Sequence, residues 1–110
     1  MIFLKKSKMK LKISFLIPCY NEEKHILRLL KKLHKVASSD FMIEILVIDG
    51  NSNDGTQEIV LETSKKLNFE FCSIVLLENN LRLQAEALNI GLKAARYEFC
   101  VRIDSHLRLG

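Results

Sequence analysis

The sequence predicts an α/β protein, an α/β/α sandwich built around a parallel β-sheet. Short apolar runs rich in β-branched residues alternate with segments whose apolar residues recur at the 3.6-residue period of a helix. The resulting order, βαβαβαβ, is typical of parallel sheets with right-handed crossover helices. The second apolar run is nearly continuous, as expected for a strand that is covered on both faces.

The first strand is predicted at residues 12–17 and is closed by Pro18. A helix is predicted from Glu22, because apolar residues then recur at helical spacing: Ile26, Leu29, Leu30, Leu33 and Val36. Asn21 can cap this helix, and Glu22 and Glu23 suit the positive end of its dipole. The polar segment SSD is expected to end it.

The second strand is predicted at residues 43–49, and the turn-forming segment GNSNDG separates it from a helix that begins near Thr56. The inner face of this helix is formed by Ile59, Val60, Thr63 and Leu67. The third strand is predicted at 71–77 and the fourth at 98–103. Between them a helix spans about 83–95, with a mostly small-residue inner face of Ala85, Leu88, Gly91, Leu92 and Ala95. Small residues there let the helix lie close to the sheet.

At 110 residues, with 48% apolar and 27% charged residues, the chain has the composition of one globular domain or of part of a larger one. No apolar run reaches the roughly 18 residues of a membrane span, and the apolar start MIFL is too short for a signal peptide. The cysteines, Cys19, Cys72 and Cys100, form no CxxC pair, so no zinc knuckle or redox pair is indicated. A reducing, cytoplasmic setting is therefore expected.

The net charge of +4 comes largely from a basic N-terminal tail, residues 1–10. Lysines crowd the first dozen residues: Lys5, Lys6, Lys8, Lys10 and Lys12. Such a tail is either a solvated segment or one attracted to anionic lipid, at about 1 kcal/mol per basic residue near the surface. Nucleic acid is not an expected partner, since no aromatic residues interleave with the lysines.

Polar loops follow every predicted strand: PCYNEE, DGNSNDGT, ENNLRLQ and DSH. In open parallel sheets, ligands bind beyond the carboxyl ends of the strands, so these loops are expected to share one site. The sequence has neither GxGxxG nor GxxxxGK[ST], which argues against a dinucleotide site and a P-loop. A divalent metal is the usual substitute for a glycine-rich phosphate site. Asp104 and His106 offer oxygen and nitrogen ligands that Mn²⁺ or a similar ion accepts.

Three segments carry a resemblance to a known family: IPCYNEEKHILRLLKKL, ILVIDGNSNDGTQEI and EALNIGLKAARYEFCVRIDSH. Together they resemble the nucleotide-sugar-binding half of family 2 glycosyltransferases, which have the GT-A fold. The resemblance covers residues 11–110, in the family's order and spacing. It is strongest to the exopolysaccharide enzymes related to succinoglycan glycosyltransferases, in which a DxH replaces the usual DxD. An Asp-Ser-His metal motif also occurs in the polypeptide N-acetylgalactosaminyltransferases.

The resemblance implies a set of binding residues. The first loop borders the nucleoside with Pro18, Tyr20, Asn21 and Glu22, and Tyr20 is placed to pack on the base. Asp49 matches the acid near base and ribose, and Gln84 falls in the region of the phosphates. Asp104 faces ribose and metal, and His106 takes the place of the last metal ligand. The implied cofactor is Mn²⁺ or Mg²⁺ bridging the diphosphate.

The sequence departs from the family pattern at three positions. Gly50 stands where many members have a second Asp that contacts uracil, which leaves the base open. Gln84 replaces a common Lys or Arg, for which Arg82 is a candidate substitute. Tyr97 replaces a common Gly, so the bend before the fourth strand is expected to be strained or reshaped.

Simpler roles remain open for the same residues. Asp49 could only orient the turn that follows it, and Asp104 with His106 could be an exposed polar strand end. Tyr20 could pack within its loop, and Glu22 and Glu23 could serve only the helix dipole. The two histidines of the first helix, His25 and His34, are interpreted as solvated surface.

The sequence therefore predicts the donor-binding portion of a glycosyltransferase, spanning residues 11–110 and truncated before an acceptor-binding half. The donor is expected to be a nucleotide sugar, a UDP-sugar by preference, and the acceptor a saccharide or a lipid-linked saccharide in cell-surface polysaccharide synthesis. The expected location is cytoplasmic, at the inner face of the membrane. No catalytic base is found, so the chain alone is expected to be inactive and to self-associate. The alternative is a non-catalytic α/β module that binds a nucleotide or a partner.

Overall fold

The computed structural model describes residues 10–105; most of the basic tail and His106 lie outside these described residues. The elements are, in order, β1 (Leu11–Cys19), α1 (Ile26–His34), β2 (Phe41–Asp49), α2 (Thr56–Leu67), β3 (Cys72–Glu78), α3 (Gln84–Ala94) and β4 (Phe99–Arg102). Every predicted strand and helix is present. Within this range no helix combines the length and the apolar character that crossing a bilayer requires.

The four strands form one parallel sheet in the order β3-β2-β1-β4. The predicted α/β fold with a parallel sheet is therefore confirmed. Cys19 of β1 is level with Asp49 of β2, which is level in turn with Glu78 of β3. The carboxyl ends of these three strands therefore meet at a single edge of the sheet.

The helices divide unequally between the two faces of the sheet. α1 and α2 cover one face, where Phe15, Ile17, Ile45 and Val47 join the larger apolar cluster. α3 covers the other face, where Leu16 belongs to a smaller cluster. Successive residues of a strand point to opposite faces of the sheet, and helices cover both faces here. This explains why the sequences of β1 and β2 are nearly continuous apolar runs.

Gly91 brings α3 close to the sheet. A Cβ atom at this position would lie 3.0 Å from Leu16 Cδ2 and 3.1 Å from Ile48 Cδ1, so it would require these side chains to shift. The predicted inner face is partly wrong, because Ala85 and Leu92 are exposed. The buried face is instead centred on Ala87 and Gly91. Residues four apart share a helix face, and the predicted face includes Gly91 of this pair but lacks Ala87.

The predicted start and end of α1 are also corrected. The residue before the helix is His25, which makes no side-chain cap, and Asn21 lies four residues earlier with a positive φ of 51°. Val36 lies beyond the helix end and is 44% exposed. His34 is half-buried rather than solvated, with its ring 5.1 Å from that of Phe69.

At the opposite end of the sheet, Glu44 fixes the connection from α3 to β4. Its buried carboxylate accepts hydrogen bonds from Arg96 N at 2.8 Å, Arg96 Nε at 2.9 Å and the Ser14 hydroxyl. The bond to Glu44 raises the pKa of Arg96 above its ordinary value. Tyr97 does not have the left-handed backbone that would strain it, because within residues 10–105 the non-glycine residues with positive φ are Asn21, Asn51 and Arg82. A reshaped bend stays a prediction.

Candidate functional site

A cleft of about 330 Å³ opens at the carboxyl ends of the strands. It is lined by Pro18, Cys19, Tyr20, Glu22, Ile48, Asn79, Arg82, Leu83, Gln84, Ala87, Asp104 and Ser105. Five of the seven predicted nucleotide-sugar-binding residues thus meet there: Pro18, Tyr20, Glu22, Gln84 and Asp104. Asn21 and Asp49 are not among the residues that line it.

The loop after β1 is bonded directly to the loop after β2. Asn21 N donates to Ser52 Oγ at 2.8 Å, and Asn21 Oδ1 accepts from Asn53 N at 2.9 Å. The left-handed backbone at Asn21, which asparagine tolerates better than most residues, places it for both bonds. Asn21 therefore holds the two loops together instead of lining the cleft.

Glu22 and Glu23 extend the same connection. Glu22 N donates to the Thr56 hydroxyl at 2.8 Å, and the Glu23 carboxylate accepts from Gly55 N at 2.9 Å. Glu23 N also donates to Asp54 Oδ2 at 3.4 Å. The Glu23 carboxylate thus has a local role that a helix-dipole interpretation does not describe, whereas Glu22 takes part in this connection through its backbone N–H.

Asp49 is a buried acceptor beneath these loops, with 1% of its surface exposed. It accepts hydrogen bonds from Ser52 N at 2.8 Å, from the Ser52 hydroxyl and from Gln57 Nε2 at 2.7 Å. The Cys19 thiol approaches it at 3.5 Å. These contacts support the simpler reading, in which Asp49 orients the turn after β2.

The Cys19 thiol lies between Asp49 and the cleft. Burial, reinforced by the negative charge of Asp49, raises the pKa of Cys19 far above its ordinary value. The group is therefore a neutral thiol at physiological pH, and thiolates rather than thiols are nucleophilic. Cys19 is a structural residue at the floor of the site.

Arg82 closes the cleft from the other side. Its guanidinium carbon lies 4.0 Å from the centroid of the Tyr20 ring, and its Nε donates to Gly50 O at 3.0 Å. A Cβ atom on Gly50 would lie 2.9 Å from Arg82 Cγ, so the glycine makes room for the arginine. The left-handed backbone at Arg82, with φ of 58°, costs a non-glycine residue on the order of 1 kcal/mol. The sequence suggested this residue only as a substitute for a missing cation at Gln84.

Gln84 and Asp104 lie at the α3–β4 side of the cleft. Gln84 is the first residue of α3, and its Oε1 accepts from Arg102 Nη2 at 2.6 Å. Asp104 follows β4 and is exposed, whereas its neighbour Ser105 is buried. Asp104 is thus the carboxylate that the β4 end presents to the cleft.

Asn79 is a cleft residue that the sequence interpretation missed. It follows β3 directly and is only 3% exposed. The rule that drew attention to Asp49 and Asp104, a polar residue at a strand's carboxyl end, applies equally to Asn79. Its burial depends on the packing of the following loop, which no local pattern reveals.

The cleft contains part of the predicted metal site. Among residues 10–105, no three His, Cys, Asp or Glu side chains come together as a complete ligand set. Asp104 and Glu22 nevertheless both line the cleft. Mg²⁺ and similar ions are commonly held by one or two carboxylates together with phosphate oxygens of a substrate. The residues present fit that kind of open site.

A parallel sheet with a polar cleft at the carboxyl ends of its strands is typical of ligand-binding α/β proteins. The chain matches the sequence model of glycosyl transferase family 2 over residues 14–109, and it belongs to that family. The resemblance identified in the sequence is thereby confirmed.

Relatives and solved structures agree with this assignment. The chain is 37% identical over 94 residues to a dolichyl N-acetyl-α-D-glucosaminyl phosphate 3-β-D-2,3-diacetamido-2,3-dideoxy-β-D-glucuronosyltransferase of Methanococcus voltae, covering 86% of this chain and 29% of that protein. It is 34% identical to the succinoglycan biosynthesis protein ExoA of Rhizobium meliloti, covering 82% and 26%. The structure of S. aureus TarS 1–349 in complex with UDP matches with a TM-score of 0.66 at 31% identity, covering 86% and 27%. The chain thus spans less than a third of each of these proteins.

Proposed function

We propose that this chain is the donor-binding part of a glycosyltransferase that transfers a sugar from a UDP-sugar during cell-surface polysaccharide synthesis. The observation that carries the proposal is the cleft at the strand ends, which gathers Tyr20, Arg82 and Asp104 in a chain of this family. The likeness to the UDP complex of TarS supports a uridine nucleotide as the ligand.

The nucleoside is proposed to bind against the β1 side of the cleft. Tyr20 offers an aromatic ring for the base, next to Pro18 and Glu22. Asn21 and Asp49 contribute indirectly, because they hold the loops that place these residues. Gln84 and Arg82 face the same space from the other side and are proposed to border the phosphates.

A divalent cation, Mn²⁺ or Mg²⁺, is proposed to bind at Asp104 together with His106, which lies outside the described residues. Such an ion, when bound, neutralises diphosphate charge and stabilises a departing nucleoside diphosphate. Asp104 contributes a carboxylate oxygen at the end of β4, and this placement does not depend on the ion.

The acceptor is proposed to be a saccharide or a lipid-linked saccharide at the cytoplasmic face of the membrane. Several relatives carry names of polysaccharide or glycan enzymes, which supports this class of acceptor. Exposed lysines at positions 10 and 12 would favour an anionic membrane surface. Nucleic acid is not a proposed partner.

No catalytic residue is assigned within the chain. The cleft carboxylates, Glu22 and Asp104, are given to nucleoside and metal, which leaves no described cleft acid to deprotonate an acceptor. We therefore expect no sugar transfer by the chain alone. Self-association is also expected, since Phe99 and Val101 are 64% and 41% exposed on the edge strand β4.

The test is a calorimetric titration of the folded chain with UDP, with and without Mn²⁺. We expect weak binding that Mn²⁺ strengthens, because the ion would join Asp104 to the diphosphate. Asp104→Ala should abolish the effect of Mn²⁺, and His106→Ala should reduce it. Asp40→Ala is the matched control, because Asp40 is an exposed acid that precedes β2 at the opposite edge of the sheet.

Equal UDP affinity with and without Mn²⁺, in protein shown to be folded, would contradict the metal site. A complete lack of UDP binding under both conditions would contradict the proposed function itself.

A further inference from the structure

Asn79 is held firmly at the floor of the cleft by three of its polar groups. Its backbone N–H donates to Asp49 O at 2.8 Å, and its backbone carbonyl accepts from Arg82 N at 3.2 Å. Its side-chain Nδ2 donates to Leu83 O at 3.0 Å. The side chain is therefore fixed in position, and it lines the cleft while remaining 3% exposed.

The fourth group, the side-chain oxygen Oδ1, is different. It is buried and has no hydrogen-bond partner among the residues that the structure describes. Most buried polar atoms in folded proteins are paired, because leaving one unpaired costs free energy.

Rotating the amide does not remove the unpaired oxygen. An exchange of Oδ1 and Nδ2 would place Oδ1 against the carbonyl oxygen of Leu83, so that two acceptors would face each other. The observed orientation is therefore the favourable one. It leaves an acceptor buried in the wall of a ligand-sized cleft.

We propose that Asn79 is a ligand-binding residue whose Oδ1 accepts a hydrogen bond from an O–H or N–H group of the bound nucleoside. The inference rests on the proposed function and deepens it, because it assigns one contact of the donor nucleotide. An amide oxygen cannot bond a phosphate oxygen, which is also an acceptor, so the partner is a ribose hydroxyl or the N–H of the base.

Arg82, in the same loop, supplies the opposite kind of group. A guanidinium has only donors, and its Nε already bonds Gly50 O. The loop after β3 therefore offers the cleft one fixed acceptor and one cation. A nucleoside diphosphate, with hydroxyl and N–H donors at one end and phosphate acceptors at the other, matches both.

The experiment measures how the effect of Asn79→Leu depends on single donors of the ligand. UDP, 2′-deoxy-UDP, 3′-deoxy-UDP and N3-methyl-UDP are titrated calorimetrically, with Mn²⁺, into the wild-type chain and into Asn79→Leu. Leucine has a similar size and lacks the acceptor. We expect Asn79→Leu to weaken the binding of UDP about tenfold. The binding of the analogue that lacks the group donating to Oδ1 should weaken less than about twofold. The three analogues distinguish the two ribose hydroxyls from the base N–H.

A purely structural role would give another result. If Asn79 only shapes its loop, Asn79→Leu weakens UDP and all three analogues by the same factor, and that outcome overturns the proposal. If the wild-type chain bound UDP and all three analogues with equal affinity, the proposal would be overturned as well. The proposed function would stand. Absence of UDP binding by the wild-type chain would overturn both.

A second variant covers the case in which Asn79→Leu does not fold. Asn79→Asp loses the bond from Nδ2 to Leu83 O, as Asn79→Leu does, but it keeps the acceptor and gives it a negative charge. Charged acceptors form stronger hydrogen bonds. The wild-type preference for UDP over the sensitive analogue should therefore grow severalfold in Asn79→Asp. An unchanged preference overturns the proposal, because a residue that only tethers the loop would not affect the ratio.

Discussion

The two walls of the cleft are built differently. We call the loops after β1 and β2, residues 20–25 and 50–55, the first wall, and the loop after β3 with the β4 end, residues 79–84 and 102–105, the second wall. Five hydrogen bonds join the loops of the first wall to each other or to Thr56 at the start of α2. The second wall is more open, with Leu81 and Leu83 at 64% and 60% exposure.

The comparison shows that position at a strand end does not decide how a polar residue is used. Asp49 and Asn79 both lie where a strand ends, and both are buried. Both oxygens of Asp49 accept hydrogen bonds from Ser52, Gln57 or Cys19, whereas Asn79 keeps an oxygen without a partner among the described residues. The buried acid of the first wall therefore serves to shape the cleft, whereas the buried amide of the second wall keeps an acceptor for a ligand.

The largest effect is expected from Asp49→Ala. The substitution would leave Ser52 N, Gln57 Nε2 and the Cys19 thiol without their acceptor in a buried site. We expect the free energy of unfolding to fall by about 3 kcal/mol, as for other losses of a buried hydrogen-bond network. Urea denaturation monitored by circular dichroism measures this change.

Asp54→Ala provides the matched control for Asp49→Ala. Its carboxylate is also an acceptor in the first wall, for Thr56 N and the Thr56 hydroxyl, but it is only half-buried. A smaller loss, of about 1 kcal/mol, is expected, as for a helix-capping interaction. If Asp49→Ala proved as stable as the wild type and lost only UDP affinity, the two walls would not differ as described.

The next effect concerns the second wall, through Arg82→Asn. Asparagine tolerates the left-handed backbone, so the change removes the guanidinium with little added strain. We expect UDP affinity to fall about tenfold, or about 1.4 kcal/mol, with unfolding free energy within about 0.5 kcal/mol of wild type. Calorimetry and urea denaturation on the same samples measure the two quantities.

Lys93→Asn is the control for Arg82→Asn, because Lys93 is an exposed cation in the last turn of α3. UDP affinity should not change in this variant. An equal loss of affinity in both variants would indicate a general charge effect and not a contact of Arg82.

The smallest effect is expected from Asn21→Gly in the first wall. Glycine keeps the left-handed conformation and loses only the bond from Asn53 N to the side chain. The unfolding free energy should fall by about 0.5–1 kcal/mol, and UDP affinity should stay within about twofold of wild type.

Asn51→Gly is the matched control, because Asn51 also has positive φ and is exposed. It should change stability by less than about 0.5 kcal/mol. A large loss of UDP affinity in Asn21→Gly would instead restore the nucleoside contact that the family resemblance implies.

The architecture could be predicted from the sequence because it depends on local and periodic signals. The strands β1 and β2 are apolar on both faces, and turn residues separate them from helices with a clear 3.6-residue period. The parallel order then brings Tyr20, Gln84 and Asp104 to one edge without any knowledge of side-chain packing.

The use of individual side chains could not be predicted in the same way. Asp49 faces the side of the sheet that α1 and α2 cover, and its partners come from a turn whose conformation the residue types do not determine. The inner face of α3 was misjudged because small residues occur on several sides of that helix. The positions of Asn79 and Arg82 depend on hydrogen bonds from their loop to Asp49 and Gly50, which are far from this loop in the sequence.

Because Gly50 and Arg82 lie so close together, the order in which these two positions are substituted matters. The two residues occupy a single space, since a Cβ atom at position 50 would lie 2.9 Å from Arg82 Cγ. Their substitutions should therefore be non-additive, as for other residues in direct contact. An acidic residue, as many family members have at position 50, could be introduced there at low cost only after position 82 had become smaller. The two positions therefore have to be varied together, because a library that varies only one of them leaves out the pairs of residues that fit this space.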